Sequence, residues 1–112
     1  IYAVAEVITT VYDKISSYNC MIQSEDQLIA LCAAGREKTS PRIVEIYDEY
    51  GRGEQAADYR VMRYRELRDD NGDSAGVVVS SSGYEQEGWN VLENDQMIIV
   101  SNRNGTYRLR SI

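Results

Sequence analysis

IVEIYDEYGRGEQAADYRVMRYREL, residues 43–67, contains the point at which the hydrophobic period of this chain changes. Before about residue 55, apolar residues recur every three or four positions, as in an amphipathic helix. After it, apolar and polar residues alternate with a period of two, as along a half-buried strand. The sequence therefore predicts an α+β fold, in which two or three N-terminal helices pack on a C-terminal antiparallel meander of four to five strands.

The 112 residues fit a single domain, with a helical part over about residues 1–50 and a sheet part over about residues 58–112. An apolar stripe predicts a first helix over about residues 2–18. Ser24 and Gln27 fit a capping box, and Gly35 is placed to end a second helix.

A third helix is predicted over residues 41–50. Ser40 and Pro41 suit the N-cap and the first helical position, and Gly51 suits the end. The β-branched residues of the same segment also fit a strand, so this alternative stays open, with the helix favoured.

Two Asn-Gly pairs predict tight turns in the sheet part. Asn71-Gly72 lies between a predicted strand over residues 59–67 and a valine run, and Asn104-Gly105 lies between two further predicted strands. Residues 80–83 break the pattern. The predicted strands are residues 59–67, 77–79, 89–92, 97–101 and a returning strand that contains Tyr107 and Leu109.

The composition disfavours several classes of function. Histidine is absent from the whole sequence, which removes the commonest general base and the commonest metal ligand. The net charge of −6 repels phosphate backbones, so nucleic-acid binding is disfavoured. No stretch is as long and apolar as a membrane span. We assign no catalytic residue, no cofactor and no metal ligand, and an enzymatic activity is the less favoured interpretation.

Cys20 and Cys32 are the only cysteines. A disulfide between them would close a loop of about a dozen residues and stabilise the fold by about 3 kcal/mol. The alternative is that both are free thiols, with Cys32 acting as a small apolar residue.

Arginine and aromatic residues interleave on two of the predicted strands, and a single tryptophan lies between them. If the two strands are neighbours, their arginines share one positive patch, which would suit a protein partner with carboxylates. The alternative is that these arginines pair with acidic residues across strands. The candidate partner-binding residues are Arg63, Tyr64, Arg65, Trp89, Tyr107, Arg108 and Arg110.

The acidic residues of the chain fit no catalytic or metal-binding motif. Asp69, Asn71 and Asp73 alternate as in a calcium loop, but Ser74 and Ser80 occupy the positions that need glycine and glutamate. Asp48, Glu49 and Glu54 are expected to form a solvated surface. A polar hairpin turn and an exposed acidic helix therefore account for both groups.

These features favour a non-enzymatic protein–protein interaction or assembly module, with partners bound through a Tyr/Arg-rich sheet face or an acidic helical face. Self-association is included among the partners. One alternative is an acidic inhibitor or immunity-type protein that blocks a basic surface of a toxin or nucleic-acid-binding protein. The other is a small-ligand-binding domain, which requires a cavity lined by Tyr, Arg and carboxylates.

The order of helices followed by an antiparallel sheet is similar to the soluble part of type IV pilin-like subunits. This similarity concerns the layout alone, since those proteins usually carry a disulfide late in the chain, whereas both cysteines here lie in the first third. The resemblance implies self-assembly, and a start at Ile1 without Met would suit a domain preceded by a hydrophobic helix.

Overall fold

A computed structural model describes residues 2–11, 19–33, 40–81 and 86–112. It contains two α-helices, one 3₁₀ helix and seven strands within these ranges. In chain order they are α1 (Tyr2–Val11), β1 (Cys20–Gln23), β2 (Gln27–Cys32), α2 (Pro41–Glu49), the 3₁₀ helix (Gly53–Arg60), β3 (Met62–Arg68), β4 (Ser74–Ser80), β5 (Asn90–Leu92), β6 (Gln96–Ser101) and β7 (Tyr107–Ser111).

The strands form two antiparallel sheets that pack face to face. The first sheet has the order β1-β2-β6-β7, and the second has the order β4-β3-β5. The buried cluster between them takes Ala30, Cys32, Ile98 and Val100 from the first sheet and Met62, Tyr64 and Leu92 from the second. The other face of the first sheet is covered by α1, whose Ala5 packs with Ile29, Leu31, Met97 and Ile99. The α+β class is therefore confirmed.

The prediction of a second helix from Ser24 to Gly35 is wrong. Residues 20–32 form the β1–β2 hairpin, and Gly35 lies outside the described residues. The Ser24 Oγ accepts hydrogen bonds from the N–H groups of Asp26 and Gln27, both at 3.3 Å, as an N-cap serine would. These bonds close a hairpin turn instead of starting a helix, because a Ser side chain serves either structure.

The apolar run of β2 is buried on both faces, which explains the error. Ile29 and Leu31 face α1, whereas Ala30 and Cys32 face the second sheet, and none of the four is more than 3% exposed. A strand without a polar face shows no period of two, so its pattern cannot be told from a buried helical segment.

The predicted third helix is confirmed as α2, so the strand alternative for this segment is wrong. The Ser40 Oγ accepts a hydrogen bond from the Arg42 N–H at 3.3 Å, and Pro41 is the first helical residue. Gly51 follows the helix with a φ of 70°, a left-handed conformation that glycine adopts at little cost. The first predicted helix is described only as α1, and residues 12–18 lie outside the described residues.

The C-terminal strands and both Asn-Gly turns form, but they do not make one meander. β3, β4 and β5 belong to the second sheet, whereas β6 and β7 belong to the first sheet with the N-terminal hairpin. The division into two sheets follows from the burial of apolar residues. β6 pairs with β2 along all six of its residues, and this pairing places the most apolar strands of the two halves of the chain side by side. Within the described residues, no helix has the length and hydropathy that a membrane crossing needs.

Candidate functional site

The structure separates the seven candidate partner-binding residues into three places. Arg63 and Arg65 lie on the side of the second sheet that faces away from the first sheet, because they alternate along β3 with Met62 and Tyr64 of the core. Trp89 directly precedes β5 at the edge of the same sheet. Tyr64 and Tyr107 lie between the sheets. Arg108 and Arg110 lie on the α1 side of the first sheet, because they pair with Ile99 and Met97. β3 and β7 are in different sheets, so the four arginines do not form a shared patch.

Arg63 is a structural residue. It is only 6% exposed, and its Nη2 lies 3.3 Å from the Asp58 Oδ1 in the 3₁₀ helix. A buried guanidinium needs such a carboxylate, because its desolvation is otherwise costly. This ion pair fastens the 3₁₀ helix to β3, and it leaves little of Arg63 for a partner.

Arg65 is an exposed arginine of the same strand. It makes no hydrogen bond or ion pair with the residues that the structure describes. Its guanidinium lies beside Gly88, where a Cβ atom would be 3.6 Å from the Arg65 Cζ. Trp89 is half-buried and directly precedes β5. The Arg65 guanidinium therefore lies close to the β5 edge of the second sheet, and its charge is available to a partner.

Three apolar side chains surround Arg65. Val78 pairs with Arg65 across β4, Val91 pairs with Arg63 across β5, and Leu67 is the next residue of β3 on the same side. They are 39%, 46% and 41% exposed, respectively. We call Arg65, Leu67, Val78 and Val91 the outer face.

Tyr64 and Tyr107 join the two sheets. Their rings meet edge to face with centroids 5.5 Å apart. Burial, the nearby Tyr107 and a hydrogen bond with Tyr107 raise the pKa of the Tyr64 phenol above its usual value. Tyr64 is only 7% exposed, so its role in the structure is packing of the core.

Arg110 and Arg108 are both exposed, and they differ in whether they form an ion pair. Arg110 forms an ion pair with Glu6 of α1 and thereby ties the last strand to the first helix. Arg108 is exposed and has no ion pair among the described residues. It stands apart from the outer face, on the opposite side of the molecule.

A second surface lies at the bend between α2 and the 3₁₀ helix, and the sequence did not indicate it. Ile46, Tyr47, Tyr50 and Arg52 line a cavity of about 380 Å³. Tyr47 also stacks edge to face on Tyr59, with centroids 6.4 Å apart. The only signal in the sequence is the helical spacing of Tyr47 and Tyr50.

Acidic residues stand next to this cavity. A groove of about 700 Å³ beside it is lined by Asp48, Gly51, Arg52, Gly53, Glu54 and Gln55. Arg52 borders both, and it has no ion pair within the described part of the chain. α2 contains no buried residue, so this aromatic surface is presented to solvent.

Cys20 and Cys32 are free thiols, and the disulfide that the sequence left open is not formed. Cys20 pairs with Leu31 and shares its α1-facing side, whereas Cys32 is the next residue along and faces the second sheet. Two side chains on opposite faces of a sheet cannot approach to bonding distance. Burial raises the pKa of both thiols above 9.0, which makes them poor nucleophiles.

Among the described residues, no three Cys, Asp or Glu side chains come together as a metal-binding group. Comparisons of the chain with known protein families, with curated proteins and with solved structures find no match. A function for this chain can therefore be proposed only from the geometry of its surfaces.

Proposed function

We propose that this protein is a non-enzymatic module that binds a partner protein through the outer face. The observation that supports the proposal is an exposed arginine without an ion pair among the described residues, set between exposed apolar side chains on adjacent strands. A sheet with one solvated face is expected to carry polar residues there. Leu67, Val78 and Val91 depart from this expectation around Arg65, and a group of exposed apolar side chains with a charged residue among them is typical of an interaction surface.

The expected partner presents carboxylates next to apolar side chains. Arg65 would pair with a carboxylate in a bidentate manner, and burial of Leu67, Val78 and Val91 would supply the apolar contact. Arginine is also among the residues most often found at the energetic centre of interfaces. The net charge of −6 argues against a phosphate backbone as the partner.

The test compares Arg65→Glu with Arg108→Glu. Both residues are exposed arginines of β-strands without an ion pair among the described residues, so the two variants have the same net charge and differ only in the surface they alter. Proteins captured by the wild type from its own cell extract would be purified, and their Kd values would be measured by calorimetry with all three proteins.

A partner of the outer face should bind Arg65→Glu more weakly by about tenfold to a hundredfold, since a lost charge pair costs about 2 kcal/mol at an interface. Arg108→Glu should bind it with nearly the wild-type Kd. Equal Kd values for the two variants would contradict the proposal. A partner that prefers both acidic variants would instead support an inhibitor of a basic surface.

Binding of a small anion is a second candidate function, supported by the cavity of Ile46, Tyr47, Tyr50 and Arg52. The cavity combines aromatic walls with a guanidinium and lies beside carboxylates. This is the combination of groups that the sequence leads us to expect at a small-ligand site. Benzoate is a suitable probe, because a planar aromatic carboxylate fits this chemistry. We expect benzoate to shift the amide NMR signals of residues 46–52 in the wild type and not in Arg52→Gln; identical titrations would exclude the site.

A further inference from the structure

Opposite charges lie close together at the bend between α2 and the 3₁₀ helix without pairing with each other. Arg52 lines both the aromatic cavity, which Tyr47 and Tyr50 also line, and the groove beside it. Asp48 and Glu54 line the groove. None of these three charged side chains forms an ion pair or a side-chain hydrogen bond within the described part of the chain. One concave surface therefore presents a guanidinium and two carboxylates to a ligand.

The position of Asp48 is unfavourable for the helix that carries it. Asp48 and Glu49 are the last two residues of α2, and no basic residue lies in the last turn. A carboxylate at this end faces the negative end of the helix dipole, which destabilises the helix. Residues that break such a local rule are expected mainly at functional sites.

Gly53 provides the space that the Asp48 carboxylate occupies. A Cβ atom at residue 53 would collide with this carboxylate. The φ of Gly53 lies outside the left-handed region, so the backbone itself does not require glycine at this position. The absence of a side chain at residue 53 therefore allows the carboxylate to lie at the groove.

We propose that this surface binds a free aromatic α-amino acid. The inference rests on the proposed small-anion site and adds an ammonium group to its ligand. The aromatic ring would lie against Tyr47 and Tyr50, and the carboxylate would pair with Arg52. The ammonium group would lie between Asp48 and Glu54. The cavity volume of about 380 Å³ is within the range of small-molecule sites.

A ligand with a single charge fits this surface less well than a zwitterion. A simple anion approaches Arg52 next to the two carboxylates, and an amine without a carboxylate brings its positive charge close to the guanidinium. The α-carbon of an amino acid carries both charged groups, and the ring is one carbon atom away. This matches a surface on which Arg52 borders the aromatic cavity and the carboxylates at once.

The test compares L-phenylalanine with two analogues. Hydrocinnamate lacks the amino group, and phenethylamine lacks the carboxyl group. Their Kd values would be measured on the native chain from the amide NMR shifts of residues 46–55. We expect L-phenylalanine to bind about threefold to fivefold more tightly than either analogue, as for one additional ion pair between exposed groups.

Asp48→Asn and Glu49→Gln are matched variants. Both remove an exposed negative charge from the end of α2, but Glu49 lines neither the cavity nor the groove. Neither carboxylate has an ion pair among the described residues to lose, so both variants should fold. Asp48→Asn should bind L-phenylalanine about threefold more weakly and hydrocinnamate no more weakly than the wild type does. Glu49→Gln should bind both with the wild-type Kd.

The outcomes separate this inference from the small-anion site. Equal Kd values for L-phenylalanine and hydrocinnamate would overturn the inference alone, whereas binding of neither would overturn the small-anion site as well. Phenethylamine that binds as tightly as L-phenylalanine would also overturn it, because Arg52 would then contribute nothing. So would equal losses in Asp48→Asn and Glu49→Gln, because the overall charge of the chain would then explain them.

Discussion

Replacement of Ile98 by alanine tests whether the second sheet covers the first. Ile98 has no exposed surface and faces Met62 and Leu92 of the second sheet. The substitution removes three carbon atoms, which corresponds to about 2.4 kcal/mol of transfer free energy at about 0.8 kcal/mol per group. The cavity left behind adds about 2 kcal/mol. We expect Ile98→Ala to lower the free energy of unfolding by about 4 kcal/mol.

Leu109 provides the control for this substitution. It pairs with Ile98 across β6 and β7, so the two side chains share one face of the first sheet. Leu109 is nevertheless 42% exposed, because the second sheet does not extend over it. Leu109→Ala removes the same number of carbon atoms. Because only the buried part of the side chain contributes, the free energy of unfolding should fall by about 1.4 kcal/mol. Water fills the space that the side chain leaves.

Urea denaturation, followed by circular dichroism, measures both losses. The wild type and the two variants should have equal m-values, so that the midpoints report the free energy of unfolding. Losses of equal size for Ile98→Ala and Leu109→Ala would refute the stacked arrangement of the two sheets. If Ile98→Ala does not fold, Ile98→Val should still cost about 1 kcal/mol, which the same assay resolves.

Two further predictions follow from the cysteines and from Tyr64. Air oxidation of the folded monomer should leave two thiols that react in denaturant, because Cys20 and Cys32 lie on opposite faces of the hairpin; a mass lower by a pair of hydrogens would contradict this. The pKa of Tyr64 is raised from 10.0 in the folded state, so the stability that this phenol contributes is fully present below pH 10 and is lost as the pH rises through the raised pKa. The stability of the wild type should therefore fall relative to that of Tyr64→Phe above pH 10 in thermal unfolding, and a constant difference would exclude this linkage.

The parts of the fold that local interactions determine could be predicted from the sequence. α2 begins and ends with Ser40, Pro41 and Gly51, whose effects on the backbone need no tertiary contact. The Asn-Gly turns follow from the tolerance of these residues for left-handed conformations. The β1–β2 hairpin could not be predicted in this way, because the residues of β2 alternate between two different buried surroundings and leave no polar face.

The division into two sheets depends on pairing between distant parts of the chain. β2 pairs with β6, and nothing in either segment distinguishes this pairing from a C-terminal meander. The candidate site shows the same limit. Arg63 and Arg65 are two positions apart on one strand, yet Arg63 is buried against Asp58 and Arg65 is exposed. The sequence places them on one face, but only the position of the 3₁₀ helix decides which of them has a carboxylate partner.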